Sequence, residues 1–430
     1  MDFKSIEPLL SAETVYTNST QVASVNNVTL TMWDVTIAAL ITRLNLFYVG
    51  EAGPGKTQLA NDVMNAVFNG AALDLRGSLD LNLNGLLTRM DLDKLSRMAG
   101  KTDDVLELTE MVKFNLALID ELNRCPPVIQ NQFFNITDGY IEFKGRKVYL
   151  GNEGSSNYFV GIGTGNMGNG EYTGTFSIDN ALRDRLHLTL DFDYYYPSAE
   201  DTLAVSLLST DPRVKIAKKA DLFGKLLEAY KQIKAINPME YLDAYLAGQF
   251  LDHGLDFVDI KGDKPKSKRL LKNIYPDVLV QAGSNAAGSS IGFIRPFTLR
   301  GVNKTMSLAI GLAAVACAKS KGDFTLNYNT VLEAYRLILP YSGALTARLL
   351  DLHCSNPSLA ADNVIGEVRT EMEKGIGTAG FALGKAADGS LTKDDLKGLE
   401  NNWSFAKSII SSQNTRAIER KQAKKPTVKT

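Results

Sequence analysis

The run Gly50-Glu51-Ala52-Gly53-Pro54-Gly55-Lys56-Thr57 limits what this chain can fold into more than any other. An apolar stretch, Leu44-Asn45-Leu46-Phe47-Tyr48-Val49, precedes it. A helical pattern of Leu59, Ala60, Val63, Met64, Val67 and Phe68 follows. Strand, glycine loop, helix is the order a phosphate cradle needs. Glycines let backbone N–H groups turn inward around the phosphates, the lysine reaches the β- and γ-phosphates, and the hydroxyl holds Mg²⁺. The string GxxxxGK[ST] is short, so its context on both sides carries the reading. Gly50, Glu51, Ala52, Gly53, Pro54, Gly55, Lys56, Thr57 and the next residue, Gln58, are the expected nucleotide-binding segment, with Thr57 also on the metal.

A strand feeding such a loop belongs to an open α/β sheet, and further buried strands follow. Ala71 to Leu75, Leu116 to Ile119, Tyr158 to Ile162 and His187 to Phe192 are short apolar runs suited to a parallel sheet covered on both faces. With Leu44 to Val49 they predict five strands. Between the second and third, Arg76 to Val112 reads as a helical or loop insertion. Pro126-Pro127 starts a helix. Tyr140 to Phe143 and Lys147 to Leu150, punctuated by Gly139 and Gly145, read as a hairpin. After Pro197 the pattern turns helical: Ser198–Leu208, Leu222–Ile236, Met239–Phe250, Thr298–Ala318 and Val331–Leu339. The boundaries expected are 1–43 as a lead-in, 44–197 as the nucleotide-binding core and 198–345 as a helical lid with an insertion at about 254–294. Residues 346–430 form a C-terminal extension. Its end, from about 416 to 430, has six Lys/Arg against one Glu and reads as a disordered basic tail.

Composition excludes several classes. A formal net charge of -1 argues against a general polyanion binder. Three cysteines without metal-ligand spacing are too few for a disulfide framework, so a reducing, cytoplasmic compartment is expected. No signal-peptide pattern opens the chain. The longest apolar stretch, Met306 to Ala318, is too short to span a bilayer, so no membrane partner is expected.

Asp120-Glu121 ends the third strand, where ligands bind in open α/β sheets. Asp120 can hold Mg²⁺ through water, and Glu121 can polarise the water that attacks the γ-phosphate. Asn166, beyond the fourth strand, can stand between that water and the γ-phosphate. Arg183 and Arg185 precede the fifth strand. They are poorly placed to serve their own site and could reach a neighbouring subunit's nucleotide, where an arginine finger is worth roughly 10³–10⁵ in rate. Arg300, or in its place Arg295, could report the γ-phosphate to the helical part.

These residues carry a resemblance. Asp120-Glu121-Leu122-Asn123-Arg124-Cys125-Pro126-Pro127, with Gln130-Asn131 after it, resembles the signature of MoxR-type AAA+ ATPases. Gly174-Thr175-Phe176 and Ala181-Leu182-Arg183-Asp184-Arg185 resemble that family's arginine-finger segment and its form in the related McrB and dynein-like branch. Thr298-Leu299-Arg300 is similar to the sensor-2 motif, with Thr-Leu where Ser-Pro is usual. The hairpin and the Arg76–Val112 insertion match the presensor-1 hairpin and the helix-2 insertion in position. The resemblance covers about residues 30 to 340. It implies an AAA+ P-loop NTPase fold: a parallel five-stranded sheet with helices on both faces, followed by an all-helical lid. It implies ATP and Mg²⁺ as cofactors, Asp120 as Walker B, Glu121 as catalytic base, Asn166 as sensor 1, Arg185 as the finger with Arg183 as its rival, and Arg300 as sensor 2. The implied assembly is a ring, typically hexameric, that remodels a protein client, often with a von Willebrand A-domain partner. Asn166 lacks the usual following proline, and Gly165 to Gly174 carries extra glycine-rich sequence.

Two alternatives stay open. The basic loop Lys261–Arg269 and the basic tail suit a nucleic-acid motor or restriction-type translocase on the same core. A scaffold that binds nucleotide with low turnover is the other. Gly375-Ile376-Gly377-Thr378-Ala379-Gly380 fits GxGxxG, but a charged helical stretch and not a strand precedes it, so dinucleotide binding is not expected. Asp388 to Asp395 fits half an EF-hand loop and is read as a turn with a cap near Thr392.

Overall fold

The computed structural model describes residues 3–91, 105–151, 158–166, 175–208, 218–258, 266–271 and 290–423. Most of the glycine-rich stretch after Asn166, most of the 254–294 insertion and basic loop, and residues 424–430 lie outside them. The chain divides into two compact units, Met1–Ile236 with Ile310–Thr325, and Asn237–Ala309 with Leu326–Thr430.

The first unit is built on five parallel strands: β1 Leu46–Val49, β2 Leu73–Arg76, β3 Leu116–Asp120, β4 Val160–Gly165 and β5 Leu188–Asp191, in the spatial order β5-β1-β4-β3-β2. β1 and β4 are buried along their whole length, as expected of continuous apolar runs inside a parallel sheet. The register aligns the strand ends. Val49 pairs with Gly165 on one side and Asp191 on the other, Gly163 pairs with Ile119, and Asp120 pairs with Arg76. Residues 50, 121, 166 and 193 therefore leave the sheet at one edge. Small residues make the close stacking possible. A Cβ on Gly163 or Gly165 would come within 3.0 or 2.8 Å of the Phe47 ring, which occupies that face of β4.

Helix α1 (Met32–Ile41) begins with a reciprocal capping box between Thr31 and Asp34, and the Lys319 ammonium pairs with Asp34 at 2.5 Å. Helix α2 (Lys56–Val67) buries Leu59, Ala60, Val63, Ala66 and Val67. Helices α3 (Pro127–Thr137) and α4 (Asn180–Arg185) pack on each other. The insertion contains a short helix, Leu83–Leu87, and a hairpin of Thr88–Met90 with Leu106–Leu108. The second expected hairpin pairs Tyr140–Phe143 with Arg146–Tyr149.

Two boundaries differ from those drawn on composition. Helix α5 (Phe223–Lys234), expected in the lid, belongs to the first unit. Phe223 packs on Phe68 and Tyr158, Tyr230 packs on Tyr158, and Asn69 N–H and Ala220 N–H bond across to Ala220 and Asn65 carbonyls. Those aromatic contacts outweigh the change of pattern at Pro197. Residues 346–430, set apart as an extension, share the second unit with α6 (Leu242–His253), the first half of α7 (Leu299–Ser320) and α8 (Tyr328–Ile338).

The second unit is mainly helical, with one two-stranded hairpin, Phe257–Val258 with Lys266–Ser267. Its longest element, α9 (Pro357–Ala387), starts with Pro357 at the first position and Asn356 accepting the Leu359 N–H. The GxGxxG string lies wholly inside it. Gly375 is there because a Cβ would sit 2.4 Å from the Trp403 ring, and Trp403 Nε1 donates to Glu371 O. At the half EF-hand, the Thr392 hydroxyl and N–H bond the Asp395 carboxylate, so that aspartate is already engaged. The tail is corrected in part. Helix α10 (Ser404–Ala423) runs through residues 416–423, because Ala406 and Ile410 anchor its first turns in the core and propagation along a formed helix is cheap. The buried helix expected over Thr298–Ala318 forms as Leu299–Ser320. The 22-residue α7 is long and apolar enough to cross a membrane, but 83% of its apolar window is buried inside the protein, as in a core helix.

Lys268 is 2% exposed and donates to the carbonyls of Ile291 (2.9 Å) and Ile294 (3.0 Å). Burial pulls its ammonium down to about 7, against the opposing pull of Asp256. The folded pKa is thus below the unfolded one. Between it and the ordinary lysine value the unfolded chain holds a proton the folded chain has lost, so stability rises with pH across that window. Urea unfolding at about pH 7.5 and about pH 9.5 should show the wild type gaining stability relative to Lys268→Met. Parallel pH dependence in the two proteins would contradict the buried-lysine account.

Candidate functional site

Gly50, Gly53 and Gly55 have φ of 141°, 114° and 99°, conformations that only glycine adopts without strain. They turn the chain from β1 into α2, whose N-cap is Gly55. Lys56 opens the helix and is 7% exposed. Its ammonium donates to Gly50 O (2.8 Å) and to Glu51 O. Burial lowers its pKa, while the carboxylates of Asp193, Asp120, Glu121 and Glu51 act in the opposite direction. Tyr16 lies on the outside of the loop: a Cβ at Gly55 would meet its ring at 2.8 Å. Asp62 on α2 holds that N-terminal segment in place by accepting the N–H groups of Val15 and Tyr16.

The register brings Asp120 to the same edge. Its Oδ1 accepts from the Thr57 hydroxyl at 3.0 Å and from the Thr164 hydroxyl at 2.6 Å. Thr164 Oγ1 in turn accepts the Glu121 N–H at 2.9 Å. One buried hydroxyl on β4 thus orients both Asp120, at the end of β3, and Glu121, just beyond it. Glu121 has φ 54° and ψ 45°, a left-handed conformation uncommon for a glutamate and costing on the order of 1–3 kcal/mol. It is tolerated because Gly77, whose N–H bonds Asp120 O at 2.7 Å, leaves room: a Cβ there would be 2.1 Å from Glu121 O. The Glu121 carboxylate is paired with Arg124 at 3.0 Å, with both side chains about half exposed.

Asn166 leaves β4 beside Gly50. Its side chain makes no hydrogen bond among the described residues, but its backbone is held. Asn123, 5% exposed, donates to Asn166 O at 2.7 Å and accepts the Phe176 N–H on its own carbonyl at 2.7 Å. Buried Gln130 donates to Ser177 O and accepts the Asp179 N–H, and Asp179 caps α4. The chain on either side of residues 167–174 is thereby tied to the segment that follows Glu121.

The two arginines are held differently. Arg185 Nε pairs with Asp138 at 3.0 Å, its Nη1 donates to Ala181 O, and its guanidinium lies 4.9 Å over the Phe134 ring. The Arg183 guanidinium makes no ion pair among the described residues. Neither side chain bonds the phosphate loop. Arg300 lies on α7 in the second unit, on an exposed position.

Thr57 and Asp120 fit a hydrated magnesium ion on a nucleotide. They offer one hydroxyl and one carboxylate, leaving the remaining octahedral positions to phosphate oxygens and water. Among the described residues no group of three His, Cys, Asp or Glu could form a protein-only metal cage. Four residues of this site carry no role assigned from sequence: Thr164, Asn123 and Arg124, the last two quoted only as part of the signature, and Asp193, which binds the phosphate loop. Thr164 had a detectable signal, a hydroxyl in the last turn of a buried glycine-rich strand.

The sheet order, the glycine loop between β1 and α2, and the acidic pair at the end of β3, one strand removed from β1, define an AAA+ P-loop NTPase fold. Residues 45–186 match the family described as the AAA domain of the dynein-related subfamily, a segment that contains the loop, Asp120, Glu121, Asn166, Arg183 and Arg185. Among solved structures, one of a candidate ATPase from Cytophaga hutchinsonii is similar, with a TM-score of 0.52 and 15% identity over 79% of this chain and 88% of that one. At that identity the likeness is one of fold. No curated protein matches the chain in sequence.

Thr164→Val keeps shape and volume but removes both hydrogen bonds to the acidic strand end. Titration with fluorescent MgATP should show affinity falling by about tenfold, since a lost charge-assisted hydrogen bond costs roughly 1.5–3 kcal/mol. Unchanged affinity would mean that Asp120 is oriented without it.

Proposed function

We propose that this chain is a Mg²⁺-dependent ATPase of the MoxR type, assembled as a ring that couples hydrolysis to remodelling of a protein partner. The observation that supports this most is the single carboxylate oxygen of Asp120 bonded to Thr57, with Glu121 next to it and Lys56, the residue before Thr57, opening α2. These are the parts phosphoryl transfer to water requires, in one place. Bound Mg²⁺ would neutralise charge on the β- and γ-phosphates. Lys56 would leave the loop carbonyls for the phosphate oxygens. Glu121, released from Arg124, would accept a proton from the attacking water, and Asn166 would orient that water.

Arg124 is engaged with Glu121 and Arg76 lines the cleft with Thr57 and Asp120, but no arginine is bonded to the phosphate loop itself among the described residues. In this reading a neighbouring subunit supplies one, either Arg185 or Arg183, and the helical unit contributes Arg300 as sensor 2. That need for a second subunit supports the ring, expected as a hexamer. A von Willebrand A-domain adaptor and a protein client belong to the same proposal and rest on the sequence resemblance, while a cytoplasmic setting rests on the three scattered cysteines.

A second reading has one observation in its favour. The hairpin from Tyr140 to Tyr149 carries Lys144, Arg146 and Lys147, with Tyr149 54% exposed and Lys147 4.3 Å over the Tyr140 ring. Cations interleaved with exposed rings suit single-stranded nucleic acid. If ATP turnover rises with DNA or RNA and binding falls steeply with salt, the protein-remodelling reading fails.

Glu121→Gln should lower turnover by about 10²-fold or more while MgATP still binds, because it removes only proton transfer. Lys56→Ala should lose binding itself. A phosphate-release assay paired with nucleotide titration checks both. Glu121→Gln turning over at the wild-type rate would favour the low-turnover scaffold.

A further inference from the structure

Asp193 lies two residues beyond β5. The turn that carries it is well anchored: Asp191 Oδ1 accepts the N–H groups of Asp193 and Tyr194, and Phe192 N–H donates to Val49 O at 2.8 Å. Both Asp193 carboxylate oxygens lie 2.9 Å from the Glu51 nitrogen. The same peptide unit offers its carbonyl, Gly50 O, to the Lys56 ammonium at 2.8 Å. One peptide plane is therefore held at both ends, by a carboxylate on its N–H and an ammonium on its C=O. The contact is closely fitted. A Cβ on Gly50 would come 2.9 Å from Asp193 Oδ1, so the bare Cα is what admits the carboxylate.

We infer that Asp193 is a positioning residue of the nucleotide site, setting the Gly50–Glu51 peptide so that the phosphate loop stays formed when Lys56 leaves its carbonyls for a phosphate. Two consequences follow from the geometry. In the empty site Lys56 and Asp193 share the work of orienting that peptide. Once Lys56 swings to the phosphates, Asp193 alone of these two holds it. The carboxylate acts on the loop and not on the reacting atoms, so its effect falls on binding more than on the chemical step. Asp193 also contributes most among the nearby carboxylates to keeping Lys56 protonated, against the burial that lowers its pKa.

This inference rests on the nucleotide-binding reading, but one of its readouts does not. Full-length Asp193→Ala and Asp193→Asn are compared with wild type by amide hydrogen exchange at Glu51 without nucleotide, by MgATP affinity and by turnover at saturating ATP. Asparagine keeps an acceptor oxygen at the same reach. Asp193→Ala should raise exchange at Glu51 and weaken MgATP by about tenfold each, the scale of one charge-assisted hydrogen bond, with saturated turnover within about threefold. Asp193→Asn should stay within about threefold of wild type in all three. Wild-type exchange and affinity in Asp193→Ala would overturn the inference. So would Asp193→Asn matching Asp193→Ala, which would make charge and not N–H acceptance the cause. If Asp193→Ala does not fold, Gly50→Ala displaces the same carboxylate from the loop side and should raise exchange at Glu51. Failure of the wild type to bind MgATP would sink the proposed function and leave the exchange result to decide on Asp193.

Discussion

The hydrogen bonds converging on Asp120 Oδ1 hold this site together. Thr57 reaches it from the first turn of α2 and Thr164 from the end of β4, while Thr164 also fixes the Glu121 amide. All three strands must end at the same level for this to happen. That level is set by the register of β1, β4 and β3, in which Val49 pairs with Gly165 and Ile119 with Gly163. The register in turn needs glycines on β4 where Phe47 fills the neighbouring face. A packing constraint inside the sheet thus becomes a geometric constraint on the acidic pair and the phosphate loop.

The first unit was largely legible in sequence because its elements are written in strong local code. Strands β1 and β3 are continuous apolar runs, the loop has three glycines at positions of positive φ, and paired prolines stand at the start of α3. The hairpin after Gly139 was legible for the same reason. The site was legible where chemistry demands a charged residue at a strand end, as with Asp120 and Glu121. It was not legible where the working group is small and neutral. Thr164 and Asn123 look like ordinary polar residues until the register shows what they bond. Asp193 looked like one acid among several after β5, and only the turn made by Asp191 directs it at Glu51.

The second unit was read less well, for a physical reason. Helix α9 contains Gly375, Gly377, Gly380 and Gly384, which lower local propensity and suggest loops. The helix forms because Ala360, Val364, Val368, Met372, Ala379 and Ala382 bury one face and Trp403 packs where Gly375 has no side chain. Packing between segments distant in sequence outweighs propensity there. It also explains why the division of the chain follows aromatic contacts around Tyr158 and Trp403 more than changes in composition.

In the proposed ring this site is half of a shared one. In that reading one subunit supplies the loop, Thr57 and Asp120 for the metal and Glu121 as base, while Arg185 pairs with Asp138 and the Arg183 guanidinium makes no ion pair among the described residues. Mixing two inactive proteins tests this directly. Glu121→Gln subunits keep both arginines, and Arg183→Ala/Arg185→Ala subunits keep Glu121. Co-assembled in equal amounts, head-to-tail contacts should recover ATP turnover to roughly a quarter of the wild-type rate, from sites pairing one subunit's glutamate with the next one's arginine. No recovery in assemblies shown to contain both subunits would contradict it.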